Sequence, residues 1–434
     1  MPSGALDNPA KPRIPCSLVP FFNRILLLAL LVSAACSRAP SGPHLVVAIN
    51  AGVEGEALKA AVRDYERASG VKMEAVELPY SNLFEKAMLD LASRTGAYDV
   101  IMMDDPWFPR LASEEKLAAL EPLYQKEGLP GPDDDFIPTS LKLCHEPYPS
   151  GRLCALPYVG NSQFFFYRKD LFDKHGLQAP KTWEEVRSAA RKIQEAEKGI
   201  YGYVMRAGPG NAAVADFMPV MWAFGADLLS PAGEPRLNTP EAAEALNFMV
   251  EMGKWTPPGY VSFNADEVNA HLLQGTAAMC INWPSWISAM DDPSKSRVVG
   301  KIAYAPMPGQ RNPGQAATGN WLLGIPAGSK NIDAAFAFLR WATDPPQMRA
   351  AAERGCPPTR RSVFQYPELV RRFRAFPVQL QSLETGRPRP RTPQWNEIEN
   401  VFGVYVSKAN AGSVTVAEAL SRARAEITEI QRRR

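Results

Sequence analysis

Histidine is scarce in this 434-residue chain, with four residues, and none of the six cysteines falls in a CxxC spacing. No HxxxH pair occurs either, so a dedicated metal centre, which needs such ligands clustered, is not expected. A surplus of one charge is also missing: 48 Lys+Arg against 46 Asp+Glu. No overall basic field therefore draws nucleic acid or anionic lipid, and the basic ending at 431–434 reads as a solvated helix end. The glycine-rich stretch Ala207-Gly208-Pro209-Gly210-Asn211 lacks the Lys-Ser/Thr of a phosphate loop and opens no GxGxxG. No GxSxG or HExxH nucleophile or metal motif is present. Asp104/Asp105 and Asp133/Asp134/Asp135 raise a glycosidase reading through paired carboxylates. Adjacent residues on one loop point apart, however, so neither an enzyme nor a cofactor is expected.

The N-terminus carries an address. Lys11, Arg13 and Arg24 precede an apolar run over 25–31, which Val32, Ser33, Ala34 and Ala35 extend. That run falls short of the roughly 20 apolar residues of a membrane-spanning helix and reads as a signal peptide over 1–35. Ser33-Ala34-Ala35-Cys36 resembles a lipobox, which implies a diacylated Cys36 at the mature N-terminus. Residues 36–43, rich in Ser, Gly and Pro, then form a tether. The protein is expected outside the inner membrane, on its periplasmic or cell-surface face and anchored by lipid. Export permits disulfides. Cys144 and Cys154 flank a turn-rich segment and are expected to bridge; the pairing of Cys280 and Cys356 stays open.

Past the tether, residues 44–49 read as a strand, 57–69 as an amphipathic helix capped by Gly70, and 71–78 as a strand. A helix over 84–93 and a buried apolar strand over 98–103 follow. This alternation predicts a parallel sheet covered by helices, with ligands beyond the carboxyl ends of its strands. A second unit begins after Pro157, with an apolar strand at 164–167. Thr182 is placed to cap a helix over 183–196. Later strands are expected at 277–282, 302–305 and 321–325.

Three groups of residues carry a resemblance to a known family. The first is Gly151-Arg152-Leu153-Cys154-Ala155-Leu156-Pro157, then Phe166-Tyr167-Arg168-Lys169-Asp170-Leu171-Phe172, then Pro180-Lys181-Thr182-Trp183-Glu184-Glu185. The second is Gly275-Thr276-Ala277-Ala278-Met279 ahead of Trp283 and Trp286. The third is Gly319-Asn320-Trp321-Leu322-Leu323-Gly324-Ile325-Pro326. In this order they resemble the extracellular solute-binding proteins of ABC importers, of the sugar type that includes maltose- and trehalose-binding proteins. The resemblance implies an α/β periplasmic-binding-protein fold of type II, with two lobes, each a mainly parallel sheet flanked by helices, joined by a hinge. The N-lobe would be 44–157 plus 301–355 and the C-lobe 161–300 plus 356–434. The implied partners are a small sugar and inner-membrane ABC permease subunits, with the binding protein itself a monomer.

A sugar presents apolar C–H faces and a ring of hydroxyls, so its site wants flat aromatics and a few fixed polar groups. Trp283, Trp286 and Trp321 sit just past strand ends, whereas Trp183 opens a surface helix and is expected in the core. Asp105, two residues before Trp107, is the expected hydroxyl-gripping carboxylate, with Asp104 as its register alternative. Glu54 follows the first strand. The expected ligand-binding set also includes Trp107 and, with the resemblance, Asn161, Gln163, Gly210, Asn211 and Gly319; Arg391 is expected to reach in from the C-lobe. A phosphorylated polyol such as glycerol-3-phosphate would want clustered arginines, and only Arg206, Arg354 and Arg391 offer them. A polyamine would want several carboxylates around aromatics.

Overall fold

The computed structural model describes residues 42–433. The predicted signal peptide and Cys36 lie outside the described residues. The principal elements, in chain order, are β1 (His44–Asn50), α1 (Val53–Ser69), β2 (Lys72–Leu78), α2 (Tyr80–Ser93), β3 (Val100–Asp104), β4 (Ala155–Val159), β5 (Phe164–Arg168), α3 (Trp183–Ala196), α4 (Asn211–Ala223), α5 (Ala265–Gln274), β6 (Met279–Asn282), β7 (Ile302–Ala305), β8 (Trp321–Gly324), α6 (Phe376–Thr385), α7 (Trp395–Asn410) and α8 (Val416–Arg432).

The first sheet runs β2-β1-β3-β8-β4. β1 is parallel to β2 and β3, and β8 is antiparallel to β3 and β4. Every residue of β3 is buried, as its continuous apolar run requires of a strand covered on both faces. The helices end where local chemistry ends them. Gly70 adopts the left-handed conformation (φ 74°) and donates its N–H to Glu66 O at 2.9 Å. Thr182 and Glu185 close a capping box on α3.

The second sheet, β6-β5-β7, corrects the expectation of a mainly parallel sheet in each lobe, because β5 pairs antiparallel with both neighbours. A run such as Phe164-Phe165-Phe166 reports burial on two faces; strand direction is set by the connections. Its side chains alternate accordingly. Phe164, Phe166 and Cys280 enter the core shared with the first sheet, while Phe165, Met279 and Ile281 enter a second core with α3, α4, α7 and α8.

Two segments also leave the lobes to which the sequence assigned them. β7 belongs to the second sheet, not to an N-lobe segment at 301–355. Residues 356–385 side with the first core instead of the C-lobe: Val363, Phe373 and Phe376 pack into it, and Ile137 N donates to Thr359 O at 2.9 Å. The expected Cys144–Cys154 bridge is not formed either. The two residues do face each other, with Cys154 N donating to Cys144 O at 3.0 Å. Their thiols diverge, however, Cys144 Sγ toward Ser140 O and Cys154 Sγ toward Arg152 O. Cys280 and Cys356 are also free. Among the described residues no helix is long and apolar enough to cross a membrane.

Candidate ligand-binding cleft

A cleft of about 670 Å³ opens between the two sheets. On the first-sheet side it is lined by Asn50 at the end of β1, Glu54 in the first turn of α1, Tyr80 and Ser81 opening α2, Asp104 ending β3, and Trp321 starting β8. The opposite side presents Arg206, Asn211 opening α4, Asp266 in the first turn of α5, Trp283 and Trp286 after β6, and Arg389. Asn161 and Gly319, on the segments that cross between the sheets, form its back. Strand ends and helix starts meet here because parallel strands deliver their carboxyl ends to one edge of the sheet. The starts of α1, α2 and α4 have no side-chain cap, so their first backbone N–H groups need partners at this surface.

Of the residues expected from sequence, Glu54, Asn161, Asn211, Trp283, Trp286, Gly319 and Trp321 are brought together in the cleft. Gly319 has a steric reason to lack a side chain: a Cβ there would come within 2.8 Å of the Trp283 ring and 3.3 Å of Arg389 Nη2. Trp183, expected in the core, is buried against Tyr203 and Phe248.

Five expected residues do not line the cleft. Asp105 is fully buried; its Oδ2 accepts from Asn320 N at 2.8 Å, and Arg391 Nη1 lies 3.4 Å from its Oδ1. Its neighbour Asp104 faces the cleft because it pairs with Trp321 in the β3–β8 ladder, and opposed residues share a face. Arg391 turns into the first unit, donating to Asp105 O at 2.6 Å and Leu143 O at 2.9 Å, with its guanidinium over the Phe108 and Tyr148 rings. Trp107 lies behind the wall, edge-on to Trp321 at 5.6 Å and tilted against Tyr80 at 4.4 Å. Gln163 spends its amide on Ala215 O at 3.1 Å. Gly210 precedes α4 where α7 crosses; a Cβ on Gly403 would meet Gly210 O at 2.0 Å.

Tyr80, Arg389 and Arg206 are among the lining residues that lay outside the expected set. Tyr80 follows the strand-end rule that pointed to Glu54, and its hydroxyl donates to Asp104 Oδ2 at 2.9 Å. Arg389 stands two residues before Arg391 in an Arg-Pro-Arg-Pro-Arg run, where sequence does not decide which arginine turns inward. Arg206, read only as a phosphate ligand, stacks over Trp283 at 5.6 Å while its N–H and guanidinium engage Asp216.

The cleft's charges are largely matched in place. Arg389 Nη2 lies 3.4 Å from Asp104 Oδ1 and its Nη1 3.6 Å from Glu399 Oε1. Glu399 in turn accepts from Asn211 Nδ2 at 2.9 Å. Burial pushes the carboxyls of Glu54, Asp104, Asp216 and Glu399 above the usual range, against hydrogen bonds and arginine charges that pull them down. For Asp105 burial outweighs Arg389 and Arg391 and lifts the pKa to about 7. Burial works against the charge on Arg389 itself, yet Asp104, Asp105 and Glu399 hold its pKa above the ordinary value. Aromatic faces beside fixed, charge-matched donors and acceptors suit recognition of a small polar solute.

Two α/β units around such a cleft define a solute-binding protein. The chain belongs to the family of bacterial extracellular solute-binding proteins, whose model matches residues 51–349. It is 28% identical over 429 residues to a Sinorhizobium fredii protein described as a probable amino-acid ABC transporter periplasmic-binding protein, covering 96% of each chain. It is 28% identical over 390 residues to the mannitol-binding protein of Pseudomonas aeruginosa, covering 81% of this chain and 85% of the relative. Among solved structures, an ABC transporter solute-binding protein from Agrobacterium radiobacter in complex with ribitol superposes with a TM-score of 0.83 at 27% identity. That match covers 90% of this chain and 99% of the other. Proteins of this family serve ABC transporters and are not enzymes.

Proposed function

We propose that this chain captures a neutral sugar or sugar alcohol in the cleft and delivers it to an inner-membrane ABC permease, working as a monomer anchored by lipid at Cys36. The observation that carries this reading is the matched charge beside Trp283, Trp286 and Trp321. Arg206 is engaged by Asp216, and Arg389 by Asp104 and Glu399, so neither arginine lining the cleft stands free for a phosphate. The ribitol and mannitol named for two similar proteins support the same ligand class. The hydroxyls would bind Glu54 and Asp104 while C–H faces lie on the tryptophans. Closure would swing a lobe built on 44–159 and 321–385 against one built on 164–305 and 395–433.

Thermal unfolding with ribitol, D-mannitol, maltose, glycerol-3-phosphate, putrescine and an amino-acid mixture tests the ligand class. A ligand at a hundred times its Kd adds about 2.7 kcal/mol to the native state. A response confined to polyols or sugars supports the reading; a response confined to glycerol-3-phosphate, putrescine or amino acids overturns it.

A further inference from the structure

The coil between α6 and α7 contains Arg387-Pro388-Arg389-Pro390-Arg391. Two prolines fix φ and remove N–H donors, so beyond the backbone bonds of Arg387 with Ala316 and Thr318 this strap is held by its arginine side chains. Arg387 pairs with Asp227 and lies over the Trp222 ring at 4.7 Å, both in the second unit. Arg391 grips Asp105 and Leu143 O in the first unit. Arg389, between them, reaches Asp104 at the end of β3 and Glu399 on α7, and α7 packs with α4 in the second core. Only 3% of the Arg389 side chain is exposed, so these pairs are weakly screened by salt. Asp104 lines the cleft directly, whereas Glu399 does not line it and touches it only by holding Asn211.

We infer that Arg389 is a positioning residue that couples solute capture to closure, by bridging Asp104 of one unit and Glu399 of the other. When the units separate, Arg389 can keep one carboxylate and must release the second to water. The three-charge bridge therefore exists in full only with the units together, and it biases the population toward that state. Ladder register with Trp321 points Asp104 to the cleft, and the contact with Arg389 holds its carboxylate there. This inference rests on the solute-binding reading, but its first measurement needs no ligand.

The test compares wild-type protein with Glu399→Gln, Arg389→Lys and Arg389→Gln, each checked for folding by circular dichroism. Small-angle X-ray scattering of the ligand-free proteins reads the open population through the radius of gyration. Stopped-flow with ribitol, or with D-mannitol if ribitol does not bind, reads the rates. Glu399→Gln, which keeps shape and removes a charge outside the cleft wall, is expected to enlarge the ligand-free radius. It should also speed solute dissociation about tenfold, within the usual range of coupling energies, with association nearly unchanged. Arg389→Gln should shift both readouts further, and Arg389→Lys should fall between, since a point charge cannot bridge two carboxylates as a planar fork does. If Glu399→Gln changes neither radius nor dissociation while Arg389→Gln weakens binding, Arg389 is a ligand contact only and the coupling is overturned. If neither polyol binds the wild type, the ligand class is left to the thermal-unfolding panel and the scattering arm decides the coupling by itself: unchanged radii in both Gln variants overturn the inference.

Discussion

Asp104 and Asp105 are chemically the same residue one position apart, and the end of β3 sends them to opposite duties. Asp104 shares the cleft face with Trp321, so Asp104→Ala removes a hydroxyl acceptor. Solute affinity, measured by titration calorimetry, is expected to fall roughly ten- to a hundredfold, since hydrogen bonds to charged groups contribute about 1.5–3 kcal/mol. Asp105→Ala instead orphans Asn320 N and Arg391. Its expected outcome is a stability loss of about 3–5 kcal/mol in urea unfolding, the usual cost of breaking a buried pair, with affinity retained by the folded protein. Asp105 also sets a pH signature. Its native pKa near 7 exceeds its unfolded value of about 3.9, so between those limits the folded state holds a proton that the unfolded state has released. Stability should therefore decline as pH rises from about 4 to 7, at up to about 1.4 kcal/mol per unit from this group, and level off above. The raised carboxyls of Glu54, Asp104, Asp216 and Glu399 act in the same direction. Urea unfolding across this range should show a shallower decline in Asp105→Asn; an unchanged slope would remove Asp105 as its source.

At the scale of elements, local signals were legible where they are local in origin. The extent of α3 and its Thr182 cap follow from side-chain chemistry within four residues. α1 begins at Val53, ahead of the periodic apolar residues that mark its core face, and carries Glu54 and Glu56 in its first turn, where the helix dipole favours acids. α2 likewise begins at Tyr80, four residues before the start read from periodicity, right after Pro79. Because both helices start early, Glu54 and Tyr80 stand at the cleft. Trp183 supplies the contrast: buried in the second core and remote from the cleft lining, Trp183→Ala should cost about 3–5 kcal/mol of stability. Solute affinity of the surviving folded fraction should stay at the wild-type value. A large loss of affinity at equal folded concentration would mean that the second core shapes the cleft more closely than the packing indicates.

For the whole molecule, the cleft is the product of chain crossings. β8 enters the first sheet after β5, β6 and β7 have built the second, and the chain stays with the first core through 385 before α7 and α8 finish the second. These repeated passages place Asn161, Gly319 and Arg389 where the units meet. The proposed anchor belongs to this scale too. With Cys36→Ala the protein is expected to move from the membrane to the soluble fraction on fractionation and immunoblotting, because stable attachment takes more than one acyl chain. Soluble wild-type protein carrying no lipid would remove the anchor from the proposal.

Sequence alone determined what periodicity, capping residues and strand-end position encode: the α/β alternation of the first unit, the span of α3, the core role of Trp183, and Glu54, Trp283, Trp286 and Trp321 at one cleft, to which the family resemblance added Asn161, Asn211 and Gly319. It could not determine which of Asp104 and Asp105, or of Arg389 and Arg391, turns inward, because that depends on ladder register with β8 and on partners more than 200 residues away. Nor could it determine the direction of β6 and β7 beside β5, since a strand buried on both faces has the same apolar run in either pairing. Tertiary structure decided these points, because register, strand direction and ion pairing are relations between distant segments, and no one segment carries them.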